Sequence, residues 1–109
     1  MTATTPVTHW LRFAADGAEH FGTLDGATVT LWQGDLFAGP QPTDRRLPLA
    51  AVRVLTPCRP TKLIGLWNNF HERAAKEGLQ RPVHPPYFIK GANCYAADGD
   101  AIRRPAGYA

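Results

Sequence analysis

The chain has 109 residues, of which 44% are hydrophobic and 10% aromatic, and its formal net charge is +3. This composition excludes a wholly disordered chain, and the length suits one domain, or a small domain with part of another. No apolar stretch is long enough to cross a bilayer and the first residues lack the pattern of a signal peptide, so we expect a cytoplasmic protein without membrane contacts. Cys58 and Cys94 have neither CxxC nor zinc-finger spacing, and we expect reduced thiols.

The positive charge is concentrated in the second half of the chain. Residues 1–56 hold four basic and five acidic side chains, whereas residues 57–109 hold eight basic and four acidic ones. This asymmetry favours an anionic partner for the second half. Because the basic residues are scattered singly among prolines, without a helix-turn-helix or basic-aromatic motif, we expect a small anionic substrate and no nucleic acid. A basic surface that serves only solubility is the alternative interpretation.

The elements predicted in the first half are short strands joined by tight turns. Alternating or β-rich runs predict strands at residues 9–13, 21–24, 27–32 and 52–55. Asp16-Gly17 and Asp25-Gly26 are typical of hairpin turns, so the strands are predicted to form a β-meander. Pro40 and Pro42 deny backbone donors to a sheet, which predicts a break at residues 39–44.

A domain boundary is predicted at residues 57–60, where charge and composition change and two prolines stiffen the chain. Beyond it, the pattern predicts a buried strand at residues 62–67, a helix at 69–77 and another strand at 87–90. Asn69 is the expected N-cap of the helix, Glu72 completes a capping box, and Gly78 provides the C-terminal stop.

The last residues have the pattern of a loop. Asp98-Gly99-Asp100 imitates the spacing of a carboxylate pair, but we favour a turn over a metal site. Nothing after this turn closes a sheet or caps a helix, so the chain has the appearance of being interrupted in a loop. We therefore expect its strands to have partners elsewhere in the protein.

Taken in order, these pieces resemble the fumarylacetoacetate-hydrolase family over nearly the whole chain. The small N-terminal domain of that family is similar to a segment of this chain that reads Leu47-Pro48-Leu49 ahead of VRVLTP. The start of its catalytic core is similar to Pro60-Thr61-Lys62-Leu63-Ile64 together with Phe88-Ile89-Lys90. The resemblance implies a mixed, β-rich α+β fold. A small N-terminal β domain would span residues 1–58, and residues 59–109 would hold the opening strands and lid helix of a β-roll, which is an incomplete core.

The same resemblance implies an activity. Members of the family are metal-dependent enzymes, usually homodimers, that hydrolyse, decarboxylate or isomerise 2-oxo or β-diketo acids, including those of aromatic catabolism. They hold Mg²⁺, or Mn²⁺ or Ca²⁺ in its place, with a Glu-x-Glu pair and a later Asp, all downstream of the position of Tyr108. We therefore expect an N-terminal portion of such an enzyme, with no metal ligand in this chain and no activity from the chain alone.

The helix that carries the family's proton-transfer dyad reads Asn-Tyr-x-x-His-x-x-Glu. Without gaps, this pattern puts Arg73 at the His position and Lys76 at the Glu position, so the dyad is absent. Arginine is no base near neutral pH but can bind a carboxylate, whereas the imidazole of His71 could take over proton transfer. The predicted catalytic residues are His71, Arg73 and Lys76, and the predicted substrate-binding residues are Asn69, Phe70 and Lys90.

Plainer interpretations stay open for these residues. Arg73 and Lys76 also fit surface ion pairs with Glu77 and Glu72, one helical turn away, and Phe70 with Trp67 fits core or hinge packing. For the whole chain, the alternative is a non-catalytic binding or assembly module that pairs with a second polypeptide carrying the metal site. A nucleic-acid binder is a third option, and it would show steep salt dependence.

Overall fold

The computed structural model describes residues 8–108. Its elements in chain order are β1 (His9–Ala15), β2 (Ala18–Asp25), β3 (Thr28–Gln33), β4 (Gln41–Pro48), a 3-10 turn (Leu49–Ala51), β5 (Arg53–Val54), β6 (Leu63–Leu66), α1 (His71–Lys76) and β7 (Tyr87–Lys90). They belong to two compact units: the first comprises the described residues up to Arg59 and those from Ala96 onward, and the second comprises Pro60–Tyr95. No helix within residues 8–108 has the length and apolar character needed to cross a membrane.

The first unit contains a five-stranded antiparallel sheet in the order β4-β3-β2-β1-β5. Asp16 and Gly17, which join β1 to β2, both have positive φ, and this geometry matches the right-handed twist of the strands they connect. Gly26 begins the next turn with a φ of +57°. The predicted meander is confirmed, and β5 adds a final strand beside β1.

The most deeply buried side chains share one face of this sheet. Phe13 and Val29 are fully buried, and no other hydrophobic residue within 8–108 reaches that class. Leu24 of β2 lies opposite both His9 and Val29, which puts Val29 on the same face as His9. Phe13 is four residues along β1 from His9 and therefore points to that face as well.

The opposite face of the sheet carries an aromatic cluster. The ring centroid of Trp10 lies 4.7 Å from that of Trp32 and 6.4 Å from that of Phe21. Trp32 also donates a hydrogen bond from Nε1 to Thr23 Oγ1 at 3.0 Å. The sheet thus has apolar packing on both faces, with the tighter core on the face of Phe13.

The break predicted at residues 39–44 is wrong, because β4 runs through most of this segment. Pro42 lies opposite Trp32 in β4. Since β4 is an edge strand, the missing N–H of Pro42 deprives no further strand of a donor. The register between β3 and β4 shifts here, and the Thr43 hydroxyl donates to the Leu31 carbonyl oxygen at 2.7 Å.

The second unit pairs β6 with β7 in antiparallel register, from Leu63 opposite Lys90 to Leu66 opposite Tyr87. The strands match the prediction closely, but β6 is only partly buried and β7 is exposed along its whole length. A two-stranded sheet with so little cover has marginal stability by itself. The expectation of a buried strand at residues 62–67 is therefore wrong for the described residues.

The helix α1 is shorter than the predicted 69–77. Its N-cap is Phe70, which has extended backbone and makes no side-chain capping bond, so the predicted cap by Asn69 and the capping box with Glu72 are wrong. The predicted stop at Gly78 is confirmed by its φ of +67°. Its N–H donates to the Ala75 carbonyl oxygen at 3.3 Å, and the next N–H reaches back to the carbonyl oxygen of Ala74 at 2.8 Å.

These elements make the chain β-rich, with α1 as the one α-helix among residues 8–108. The β-rich, small-domain part of the predicted fold class is confirmed. The β-roll and the lid role of α1 stay predictions.

Candidate functional site

A cavity of about 260 Å³ in the second unit brings several predicted site residues together. Its wall contains residues 68–71, Ala74, Arg81 and most of the loop 82–86. His71 and Arg81 supply the ionisable side chains of this wall, and none of its described residues carries a carboxylate. The cavity therefore suits a small neutral or anionic molecule better than a cation.

Two hydrogen bonds fasten the proline-rich loop beside this cavity. Asn68 Nδ2 donates to the Gln80 carbonyl oxygen at 2.9 Å, just before the loop begins. The Trp67 N–H donates to the Pro86 carbonyl oxygen at 3.0 Å, where the loop ends. Both ends of the loop are thus tied to the residues that follow β6, which fixes the position of Arg81 in the wall.

Only part of the predicted site lines this cavity. Asn69, Phe70 and His71 all contribute to the wall, whereas Arg73 and Lys76 do not. Arg73 instead donates from Nε to Glu77 Oε1 at 2.8 Å, as the surface ion-pair interpretation predicts. A neighbouring cavity of about 250 Å³ is lined by Arg73 and Glu77 together with residues of β6 and β7, and residues 68–70 line both cavities.

The two predicted lysines lie apart from the 260 Å³ cavity. Lys76 lines an open groove together with Glu72, Arg73 and Glu77. Lys90 lines none of the three cavities, and its Nζ lies 5.7 Å from the centre of the Phe88 ring. A substrate role for Lys90 or a catalytic role for Lys76 stays a prediction.

Core packing of Trp67 and Phe70 is not found among the described residues, and hinge packing stays a prediction. Trp67 is 54% exposed and Phe70 is 73% exposed. Large aromatic side chains at this exposure bury little apolar surface, so neither anchors a core in the second unit. Phe70 is accordingly free to contact a molecule in the cavity whose wall it joins.

Arg81 and Asn68 were not among the predicted site residues. Arg81 follows the helix in a loop, and its place in the wall depends on hydrogen bonds between residues 12 or more positions apart. For Asn68, a signal was available in the sequence, since asparagine is one of the few residues that tolerate a positive φ at a strand end. Its φ is +50°.

No group of three or more His, Cys, Asp or Glu side chains within residues 8–108 lies close enough together to hold a metal ion. Asp100 accepts a hydrogen bond at Oδ2 from the Ala97 N–H at 2.9 Å, and its carboxylate lies 3.6 Å from Arg53 Nη1. The predicted turn at residues 98–100 is therefore confirmed. The described residues do not fit a divalent cation by themselves.

A separate charged cluster lies in the first unit. The Glu19 carboxylate accepts hydrogen bonds from Arg59 and from Arg12 Nη1, the latter at 2.7 Å. Arg12 also donates from Nε to the Thr56 carbonyl oxygen at 3.0 Å. The hydrogen bond from Arg59, with the positive charges of both arginines, lowers the pKa of Glu19 below its ordinary value. Since these side chains bind one another, the cluster fastens residues 56–59 to the sheet.

Comparison with known proteins supplies a family for the first unit. Residues 8–57 match the family described as Rv2993c-like, N-terminal. None of the curated proteins matches the chain.

Several solved structures are similar to nearly the whole chain. Cg1458 superposes with a TM-score of 0.75 at 24% identity over 92% of this chain. An uncharacterized protein from Mycobacterium abscessus has a TM-score of 0.74 at 29% identity over 93%. The 2-hydroxyhepta-2,4-diene-1,7-dioate isomerase from Mycobacterium marinum has a TM-score of 0.67 at 24% identity over 83%. This chain covers 38%, 40% and 34% of those three chains, and so spans less than half their length.

Proposed function

We propose that this chain is the first part of a metal-dependent enzyme acting on anionic 2-oxo or β-diketo acids. Its residues 8–57 form the N-terminal domain of a fumarylacetoacetate-hydrolase-family protein. The likeness of nearly the whole chain to structures more than twice its length supports the proposal. The isomerase among those structures supports the proposal that the protein is an enzyme. The word dioate in its name makes dicarboxylates the first class of substrate to test.

The observation that carries the proposal is the 260 Å³ cavity with His71 in its wall. An imidazole can accept and return a proton near neutral pH, which proton abstraction next to a carbonyl group requires. In an isomerisation, a ring nitrogen of His71 would remove a proton from the carbon beside the carbonyl and deliver it to another carbon of the same substrate. In a hydrolysis, it would take the proton from the attacking water.

The other predicted residues have unequal support. Asn69 and Phe70 share the cavity with His71, so we assign them contacts with the substrate. Arg73 is paired with Glu77, and we assign it to the support of α1. The position of α1 beside the cavity also fits the lid role implied by the family.

The divalent cation of the proposed enzyme, Mg²⁺ or Mn²⁺ or Ca²⁺, would take its ligands from the remainder of the protein. The remainder would also cover the exposed strands β6 and β7, and the assembled enzyme would be a homodimer as is usual in the family.

Turnover by the full-length protein tests the proposed role of His71. With Mg²⁺ present, we expect turnover of an acylpyruvate, oxaloacetate or 2-hydroxyhepta-2,4-diene-1,7-dioate. His71→Ala should lower kcat by about 100-fold or more, because a positioned general base or acid contributes about that factor. His84→Ala is the matched control, since His84 lies in the adjacent loop but is not part of the wall, and its kcat should stay near that of the wild type.

Two outcomes would contradict the proposal at different levels. An unchanged kcat in His71→Ala would remove His71 from the mechanism. A wild-type protein that turns over none of the three substrates would overturn the substrate class. In that case the alternative, an assembly module that pairs with a second polypeptide, would be tested by co-purification and the intact mass of the components.

A further inference from the structure

The neighbouring cavity of about 250 Å³ in the second unit has a mostly apolar wall. Trp67, Phe70, Leu79 and Phe88 all line it. Its three aromatic side chains are between 44% and 73% exposed, so an occupant would bury aromatic surface that is now open to solvent. An apolar cavity of about 150 Å³ is large enough to bind benzene. The neighbouring cavity therefore has the size and the lining to hold a phenyl group.

The charges and the position of this cavity also suit part of a substrate. Arg73 and Glu77, the charged residues of the described wall, form an ion pair with each other, so the wall carries no net charge. Residues 68–70 line this cavity and also the 260 Å³ cavity that contains His71. The two cavities thus adjoin. A substrate whose reacting end lies beside His71 is close enough to place a substituent in the neighbouring cavity.

The space in the neighbouring cavity depends on the ring of Phe88, which lies against β6. Phe88 is opposite Gly65 in the antiparallel pair. A Cβ added at Gly65 would lie within 2.9 Å of three atoms of the Phe88 ring, which is closer than non-bonded carbon atoms approach. The ring can take this place because position 65 has no side chain. A methyl group there would lift the ring off the strand and into the cavity that it lines.

We propose that the neighbouring cavity is a subsite for an apolar substituent of the substrate, and that Gly65 sets its size by letting Phe88 lie against β6. The inference rests on the proposed function and specifies the substrate further. An acylpyruvate with an apolar acyl group fits this wall better than a dioate, whose second carboxylate would lose water without gaining a partner. Gly65 acts through Phe88 and is a positioning residue, whereas Phe88 contacts the substituent.

Acetylpyruvate and phenylacetylpyruvate form a matched pair of substrates, because the second carries a phenyl group in place of one hydrogen of the first. Both would be assayed with the full-length protein and Mg²⁺. We expect the wild-type KM for phenylacetylpyruvate to be about tenfold lower than that for acetylpyruvate, because the cavity buries the phenyl ring. Any difference in intrinsic reactivity cancels when this KM ratio is compared between variants.

Variants of the wall test what sets the size of the subsite. Gly65→Ala should remove most of the roughly tenfold preference, through KM rather than kcat, because the displaced Phe88 ring takes the space of the phenyl group. Adding Phe88→Leu to Gly65→Ala should restore the preference, which a merely structural role of Gly65 does not predict. Leu79→Phe narrows the cavity from another side and should also reduce the preference. Gly91→Ala is the matched control, since Gly91 lines neither cavity and its added Cβ would meet only Asn93 Oδ1 within 4 Å.

Toluene tests the cavity without turnover. In the full-length protein labelled with fluorotryptophan, the fluorine NMR signal of Trp67 is identified by its loss in Trp67→Phe. This signal should shift as toluene is added, because Trp67 lines the cavity. The signals of Trp10 and Trp32, which belong to the first unit, should stay unchanged. Gly65→Ala should weaken the binding of toluene about tenfold, because the cavity becomes too small for the ring.

Equal wild-type KM values for the two pyruvates would overturn the subsite while the proposed function stands. The same KM ratio in Gly65→Ala as in the wild type would overturn the role of Gly65. A Trp67 signal that does not respond to toluene would show that the cavity takes no apolar group. A wild type that turns over neither pyruvate would reject the proposed function, and the toluene titration would still decide whether the cavity is an apolar site.

Discussion

At Glu19, ionisation and folding are directly linked. Hydrogen bonds from Arg59 and Arg12 lower the pKa of its carboxyl group in the folded protein. The unfolded chain lacks these contacts and binds the proton more readily. The stability that Glu19 contributes is therefore complete above its unfolded pKa and is lost as the pH falls through the lowered folded pKa. Glu19→Gln should unfold more easily than the wild type at neutral pH, and the difference should shrink in acid.

Urea denaturation at a series of pH values measures this difference in the free energy of unfolding. Asp44→Asn is the matched control, because Asp44 is exposed in β4 and forms no ion pair within residues 8–108. A difference between Glu19→Gln and the wild type that stays constant from neutral pH into the acid range would refute the linkage.

Gly22 is the position where the backbone leaves no room for a side chain. A Cβ added there would lie 2.0 Å from the Thr30 carbonyl oxygen, in the neighbouring strand. Because that neighbour is backbone rather than a flexible side chain, Gly22→Ala should lower the free energy of unfolding by about 3 kcal/mol. Thermal and urea denaturation would report the loss.

Gly26→Ala is the control for the Gly22 prediction. A Cβ at Gly26 would meet nothing within 4 Å, but the residue has a φ of +57°. Gly26→Ala should lower the free energy of unfolding by about 1 kcal/mol, because of its backbone conformation alone. If both variants lose the same stability, the close approach at Gly22 has no energetic weight and the prediction fails.

At the scale of elements, the strands were predictable because their signals are local. The Asp-Gly turns and the alternation in β1 to β3 depend on adjacent residues, and the sheet follows them. The strand β4 was missed because the tolerance for Pro42 depends on its place at the sheet edge, which is a property of the whole topology. The N-cap of α1 is predicted at Asn69 because asparagine is a good local capping signal. The helix begins two residues later, so the local signal misplaces the cap.

The candidate site was predictable to a similar extent. His71, Asn69 and Phe70 are close in sequence, so one helix pattern identified all three. Arg81 and Asn68 come together through hydrogen bonds that close a loop, and no local pattern encodes such closure. The charge asymmetry of the second half nevertheless predicts an anionic partner from the sequence alone.

At the scale of the whole molecule, the β6–β7 pair presents an apolar face to solvent. Ile64 lies opposite Ile89, and Leu66 lies opposite Tyr87, so these four residues form one apolar face. Ile64 is 64% exposed and Ile89 is 66% exposed. An apolar face of this kind is unusual on a protein surface and is typical of an interaction site.

We expect this apolar face to be covered in the full-length protein. The double change Ile64→Thr and Ile89→Thr should then lower the free energy of unfolding of the full-length protein by about 3 kcal/mol or more, since each buried isoleucine contributes about 1.5 to 3 kcal/mol. In the 109-residue chain, where the face is exposed, the same change should cost little stability but should reduce concentration-dependent association, measured by sedimentation velocity.

Phe37→Thr is the control for a scattered apolar residue, because Phe37 is 87% exposed in the first unit. An equally small loss of stability in the full-length protein and in the 109-residue chain would mean that the face stays open to solvent, and the proposed cover would be rejected.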